Sequence, residues 1–260
     1  MYLNDIGELW LPISLIIFFV FLFGIIIGSF LNVCIIRLPR GESLFRRSSH
    51  CMTCGEKIKP YDMVPVFSWL ILRGKCRNCG EKISSRYPLV EFLCGIMWVL
   101  AFLKFDISVQ ALLTALFFSA LIVVGFMDWD TQTINSGVLM FIGLLAVLSF
   151  FLTDAASIKE RLIGAAIFSI PFLIIGFITN GIGLGDTILM AVSGLFLGYR
   201  ELIPGGLIGI FLACIVGLII KFITKNSKFA FGPWLSIGLA LSVFVGDGIF
   251  TWYVTTFLPK

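Results

Sequence analysis

Two kinds of side chain in this sequence are spaced for chemistry. Four of its seven cysteines form two pairs, Cys51-Met52-Thr53-Cys54 and Cys76-Arg77-Asn78-Cys79. Two intervening residues let both thiolates of a pair reach one ion from a tight knuckle. The 21 residues between the pairs are enough for a small ribbon that brings the knuckles together. This is the usual pattern of a tetrahedral zinc site. Each knuckle is followed by Gly (Gly55, Gly80) and then Glu-Lys-Ile, so the halves form a pseudo-repeat. The competing reading, two disulfides or redox pairs, needs an oxidising compartment. A metal would supply much of the folding energy of a loop with so little apolar core. His50 is the only histidine, and four cysteines complete a site without it. A single histidine also argues against a Ser-His-Asp or Cys-His centre. Cys34, Cys94 and Cys214 stand alone in apolar runs and are expected to be small buried hydrophobes.

The second set is acidic. Asp128 and Asp130 follow an apolar run, in Gly125-Phe126-Met127-Asp128-Trp129-Asp130, and Asp186 follows Gly181-Ile182-Gly183-Leu184-Gly185. Ionisable groups at the edge of membrane spans are costly and usually functional. Two carboxylates a few ångströms apart cannot both ionise easily, so one keeps a proton while the other acts as base. Such a pair can activate water against a peptide carbonyl and protonate the leaving amine. Gly183 and Gly185 allow close backbone approach, so an extended peptide could lie against the site. The bland alternative for Asp186 is a helix cap. Asp130 is the competitor for the role of Asp128. The glycine run lacks the Gly-x-Gly-x-x-Gly spacing and βαβ context of a dinucleotide site. Asp247 is expected to be interfacial or to pack between helices.

The elements that must position these residues follow from composition. The chain has 260 residues, 59% hydrophobic and only 13% charged, with mean hydropathy +1.05. A soluble domain carries roughly 25% charged residues. A soluble enzyme, a disordered chain and a nucleic-acid binder are excluded, which leaves an all-α polytopic membrane protein. Apolar runs suggest about eight transmembrane helices, near residues 11–34, 88–105, 108–127, 137–153, 162–179, 187–200, 205–223 and 233–257. The start, MYLNDIGELW, has no Lys or Arg and carries Asp5 and Glu8; it is expected to lead into the first span rather than act as a cleavable signal. The expected organisation is a first transmembrane helix (1–36), a cytoplasmic four-cysteine loop domain (37–87) and a seven-helix membrane domain (88–260).

Charge sets the orientation. Eleven of the 19 basic residues fall within 37–87, three more are Lys221, Lys225 and Lys228, and five (Lys104, Lys159, Arg161, Arg200, Lys260) fall on the opposite side. That is a positive-inside bias with both termini outside the cytoplasm. Asp128 and Asp186 then share one depth, at the cytoplasmic ends of their helices. The rims around them (128–136 and 180–186) carry no Lys or Arg, whereas the basic loop suits anionic headgroups.

These residues resemble the bacterial type IV prepilin peptidases, membrane aspartyl proteases. The resemblance runs through Gly28-Ser29-Phe30-Leu31-Asn32-Val33 with Arg37-Leu38-Pro39, the cysteine loop with Leu72-Arg73-Gly74-Lys75-Cys76-Arg77, and Ile83-Ser84-Ser85-Arg86-Tyr87-Pro88-Leu89-Val90-Glu91. It continues through Asp128, Gly183-Leu184-Gly185-Asp186 and Phe231-Gly232-Pro233. The resemblance implies removal of the short basic leader of prepilins and pseudopilins at the cytoplasmic face of the bacterial inner membrane, with Asp128 and Asp186 catalytic. It also implies N-methylation of the new N-terminus with S-adenosylmethionine, an activity associated with the cysteine-containing half. Zinc at Cys51, Cys54, Cys76 and Cys79 fits the same picture.

Three departures from the family pattern stand out. Thr133-Ile134-Asn135-Ser136 replaces a Leu-Pro-Asp-like stretch, Ile188 replaces a Lys, and Met52-Thr53 replaces a Pro-containing knuckle. Presenilin-type proteases share Gly-x-Gly-Asp, but the cysteine loop favours the prepilin branch. The rival from another class is a metal- or proton-linked transporter with a zinc-binding regulatory loop. It requires polar residues along mid-membrane faces, and few are present.

Overall fold

The computed structural model describes residues 3–44, 49–179, 181–224 and 229–257. Arg46, Arg47, Lys225, Lys228 and Lys260, which enter the charge count, lie outside them. The described residues are helical with no strand, as the composition requires. Six helices are long and apolar enough to cross a membrane: α1 (Leu3–Arg37), α3 (Arg86–Phe105), α4 (Val109–Thr131), α6 (Ile158–Thr179), α8 (Tyr199–Thr224) and α9 (Gly232–Phe257). Two apolar helices are shorter, α5 (Ser136–Leu152) and α7 (Leu184–Leu197). All eight expected spans are therefore helices. At 1.5 Å per residue, however, α7 reaches only about 21 Å, short of the ~30 Å hydrocarbon core.

The chain forms two compact units, Met1–Ser119 and Ala120–Lys260. In the first, α1 packs on α3 through small residues. A Cβ on Gly28 would lie 2.6 Å from the Glu91 Cα, and one on Gly24 would lie 2.8 Å from the Gly95 Cα. Asn32 Nδ2 donates to the Tyr87 carbonyl at 3.1 Å, so the first-helix signature locks onto the start of α3. Glycine-mediated approach is the usual way membrane helices gain contact area. The loop between α1 and α3 holds a 3₁₀ turn at Pro60–Met63 and the five-residue helix α2 (Phe67–Ile71).

In the second unit α7 is central. It packs on α5, α6, α8 and α9, with Thr187, Leu189, Met190, Ser193, Gly194, Phe196 and Leu197 buried. A Cβ on Gly164 would lie 2.7 Å from the Gly194 carbonyl oxygen, which makes the α6–α7 crossing a glycine contact. Helix α5 is capped by Asn135, whose Oδ1 accepts the Gly137 N–H at 2.8 Å. Gly198 (φ 78°) separates α7 from α8, a left-handed conformation that suits glycine.

One expectation fails. Cys34 and Cys94 are buried, but Cys214 is exposed on α8. An apolar run fixes hydrophobicity and not its destination, and in a membrane protein the outer helix surface is as apolar as the core.

Candidate active site and metal centre

The two cysteine knuckles are built alike, as their pseudo-repeat predicts. The Cys51 N–H donates to the Glu56 carbonyl at 2.9 Å and the Cys76 N–H to the Glu81 carbonyl at 2.8 Å. The Gly55 and Gly80 N–H groups close the turns onto the Cys51 and Cys76 carbonyls at 2.9 and 3.0 Å. Both glycines are left-handed, with φ of 71° and 73°. Each knuckle ends in one antiparallel bridge, His50 with Lys57 and Lys75 with Lys82. His50 thus contributes backbone to the ribbon, and the candidate metal cluster consists of Cys51, Cys54, Cys76 and Cys79.

Their four sulfurs lie within 4.8 Å of one another, so they could hold a metal ion. Cys51 Sγ and Cys79 Sγ are 3.8 Å apart, far beyond the ~2.05 Å of a disulfide. The N–H groups of Cys54 and Thr53 pull the Cys51 thiol down to about 6. The Glu81 N–H also favours the Cys79 thiolate, but desolvation and the neighbouring sulfurs push that thiol up to about 12. Four thiolates this close need a cation to ionise together. Arg77, inside the second knuckle, makes a two-pronged contact with Asp62, at 2.6 Å in its shortest arm. That contact holds the Asp62 carboxyl below its ordinary range.

The aspartates lie in the second unit. Asp128 is on the last full turn of α4 and is only 5% exposed. Its Oδ2 accepts the Gly232 N–H, at the first residue of α9, at 2.8 Å. Gly232 has to be glycine: an added Cβ would lie 2.9 Å from Asp128 Oδ2 and 3.0 Å from its Cβ. Asp130 is exposed on the end of the same helix, which runs to Thr131. Asp186 occupies the first turn of α7. Its carboxylate folds back to the Gly183 amide, and it lies within electrostatic reach of Asp128. The contact with the Gly183 amide is the one expected of a capping residue at a helix start. Asp186 Oδ1 is buried and has no hydrogen-bond partner among the described residues.

The Gly-x-Gly-Asp spacing has a steric reason at each glycine. A Cβ on Gly183 would lie 3.2 Å from Asp186 Oδ2, and one on Gly185 would lie 3.1 Å from the Ile134 Cβ. Gly183 leaves room for the carboxylate, and Gly185 lets the α4–α5 turn seat on the start of α7. Two departures from the family pattern fall here: Ile134 fills that seat, and Ile188 is 47% exposed one turn into α7. The third, Met52, is 74% exposed on the first knuckle. A Trp129–Trp234 edge-to-face pair, centroids 6.4 Å apart, and a Phe172–Phe231 contact line the same end of the unit.

Three residues carry more than the sequence suggests. Gly232 positions Asp128, although only its motif was visible. Glu91, the last residue of the Ile83–Glu91 motif, is buried and accepts the Val66 N–H at 2.7 Å. Arg161, read as a flanking cation, is 3% exposed. Its guanidinium donates to the carbonyls of Ala156 (3.0 Å), Leu195 (2.8 Å) and Phe196 (3.2 Å) and to Ser149 Oγ (3.0 Å). Asp247 is exposed and sits 3.8 Å from Arg200, as an interfacial residue should.

Residues 22–105 match the Bacterial Peptidase A24 N-terminal domain, and residues 115–222 match the Type IV leader peptidase family. A prepilin leader peptidase/N-methyltransferase of Myxococcus xanthus is 31% identical over 215 residues. That match takes in 80% of this chain but 64% of the relative, just under two thirds of its length. The prepilin leader peptidase/N-methyltransferase of Bacillus subtilis is 29% identical, covering 90% of this chain and 96% of its own. That of Aeromonas hydrophila is 32% identical over 289 residues, covering 97% of each chain. No solved structure matches the chain.

Proposed function

The chain belongs to the type IV leader peptidase family, and from that premise we propose a membrane aspartyl endopeptidase that removes the basic leader of prepilins or pseudopilins, with Asp128 and Asp186 as its catalytic pair. The observation that carries the pair is the convergence of α4, α7 and α9. One buried carboxylate is pinned by Gly232, and the other keeps a buried, unpartnered oxygen within electrostatic reach of the first. In the reaction one carboxylate takes a proton from water as its oxygen adds to the scissile carbonyl. The other, protonated, hydrogen-bonds the carbonyl oxygen, and the departing amine collects a proton from the pair. Gly183 and Gly185 shape the site by leaving room for the Asp186 carboxylate and for Ile134, and the rims free of Lys and Arg accept a basic leader without repulsion.

Three further parts complete the reading. The relatives' names support a second step, N-methylation of the new terminus with S-adenosylmethionine. The four cysteines suit a structural zinc: a tetrahedron with ~2.3 Å Zn–S bonds has edges of about 3.8 Å, the separation of the Cys51 and Cys79 sulfurs. The positive-inside bias supports the bacterial inner membrane with the aspartates at its cytoplasmic face. The transporter reading gains no support from the family.

Leader removal from a co-expressed prepilin tests the pair. Asp128→Asn and Asp186→Asn are each expected to lower cleavage about 10³-fold or more, and the double variant little further, because the two act as a unit. Asp130→Asn should cleave at near the parent rate. Normal processing by either folded single variant would sink the assignment. Incubation with prepilin and labelled S-adenosylmethionine tests the second step.

A further inference from the structure

Helix α2 is an anomaly in a cytoplasmic loop. Its five residues, Phe67-Ser68-Trp69-Leu70-Ile71, carry no charge. Phe67 is 48% exposed, Leu70 57% and Ile71 75%. Only Trp69 turns inward: its Nε1 donates to the Ile83 carbonyl at 3.1 Å, and its ring packs so close to Gly74 that a Cβ there would lie 2.8 Å from it. A solvated loop would not hold three large apolar side chains outward on so short a helix.

The attachment of α2 fixes its depth. Val66, the residue before it, stands at φ 63°, a conformation rare for a β-branched residue. It is held there by its N–H bond to Glu91 Oε2. Glu91 lies within the candidate span Arg86–Phe105, five residues past its start, about 7.5 Å along the helix axis. Amphipathic segments that lie in the membrane plane bury their apolar face about 5–10 Å deep. The next exposed positions after Ile71 are Arg73 and Lys75, at the turn that leads back to the second knuckle. Residues 37–87 as a whole hold eleven basic side chains against four acidic ones.

We propose that α2 is an in-plane membrane anchor, with Phe67, Leu70 and Ile71 in the headgroup–acyl boundary beside the start of α3 and Arg73 and Lys75 over anionic headgroups. The partner is the lipid surface. The apolar residues set the depth, and the two cations favour phosphatidylglycerol-like lipid over zwitterionic lipid.

The test uses the full chain in nanodiscs, with phosphatidylglycerol carrying a photoactivatable group high on its acyl chain. Adducts are mapped by mass spectrometry. Met52, 74% exposed on the first knuckle, is matched in exposure to Ile71 and serves as the internal control. The expected result is labelling at 67–71 at least fivefold above that at Met52. A Leu70→Ser/Ile71→Ser variant should lose that labelling while adducts on α1 and α3 persist, which shows insertion intact. In phosphatidylcholine nanodiscs labelling at 67–71 should fall about threefold, and Arg73→Gln/Lys75→Gln should abolish the difference between the two lipids. Equal labelling at Ile71 and Met52, adducts confined to the spans, or capture of 67–71 by added prepilin but not by lipid would each overturn the proposal.

Discussion

Asp128, the proposed catalytic carboxylate, is fixed by a residue with no side chain. Its Oδ2 takes the Gly232 amide, and the Gly232 Cα lies against the same carboxylate. A hydrogen bond to a charged group contributes about 1.5–3 kcal/mol. Displacing this one is therefore expected to slow cleavage roughly 10- to 100-fold. Gly232→Ala should do so, since the new Cβ would lie 2.9 Å from Oδ2. Gly125→Ala, whose Cβ would meet nothing closer than the Pro233 Cα at 3.6 Å, should cleave at near the parent rate. Leader-cleavage kinetics on the purified pair of variants decides it; equal rates would show that Gly232 does not position Asp128. The cysteine knuckles were legible residue by residue because the turn bonds and the bridge that shape each one join residues four to seven positions apart. The role of Gly232 was not, because its bond spans 104 positions. A motif shows that a residue is constrained, but the cause can sit at the far end of the chain.

At the scale of elements, the question is what holds α7 with Asp186 at one end. The helix has 14 residues, too few to be placed by the membrane alone. Its other end is held by Arg161, which reaches from α6 to the Leu195 and Phe196 carbonyls. A cation there satisfies carbonyls that a helix C-terminus leaves unpaired and complements the helix dipole. Alternating spans and the positive-inside count made the shared end of Asp128 and Asp186 legible. The same count assigned Arg161 to a flank, because its acceptors come from Ser149, Ala156 and the end of α7, which no local pattern joins. Arg161→Ala leaves one buried carbonyl and two part-buried ones without this donor, at about 1–3 kcal/mol for each one left unsatisfied. Unfolding in mixed micelles should show a loss of about 2–5 kcal/mol. Ser149→Ala, which removes one neutral acceptor of four, should cost about 1 kcal/mol. A loss for Arg161→Ala no larger than for Ser149→Ala would remove the clamp.

At the scale of the molecule, two compact units divide the chain within α4, and they hold together by different means. The second unit packs glycine-lined helices around α7 and buries most of the large apolar core, including Met127, Ile142, Leu189, Met190, Leu202, Leu235 and Leu239. The loop of the first unit has little of this: neither the 3₁₀ turn nor α2 buries a single residue. Its Asp62–Arg77 pair is half-open to solvent at the arginine, and such pairs contribute little. What remains is the four-sulfur cluster, where the proposed structural zinc would supply on the order of 10–16 kcal/mol of apparent binding energy. That imbalance predicts an asymmetric response to metal loss. Purified protein should hold about one zinc per chain, and Cys51→Ser/Cys76→Ser should remove it. Limited proteolysis of the zinc-free variant should then cut within 49–85 at least tenfold faster, while the fragment carrying α5 to α9 stays resistant and keeps its thermal transition. The two readouts should separate, because under the zinc proposal an ion folds the knuckles whereas packing folds the helices around α7. Loss of both transitions together, or a metal-free chain with an intact loop, would show that the cluster is not what stabilises the loop.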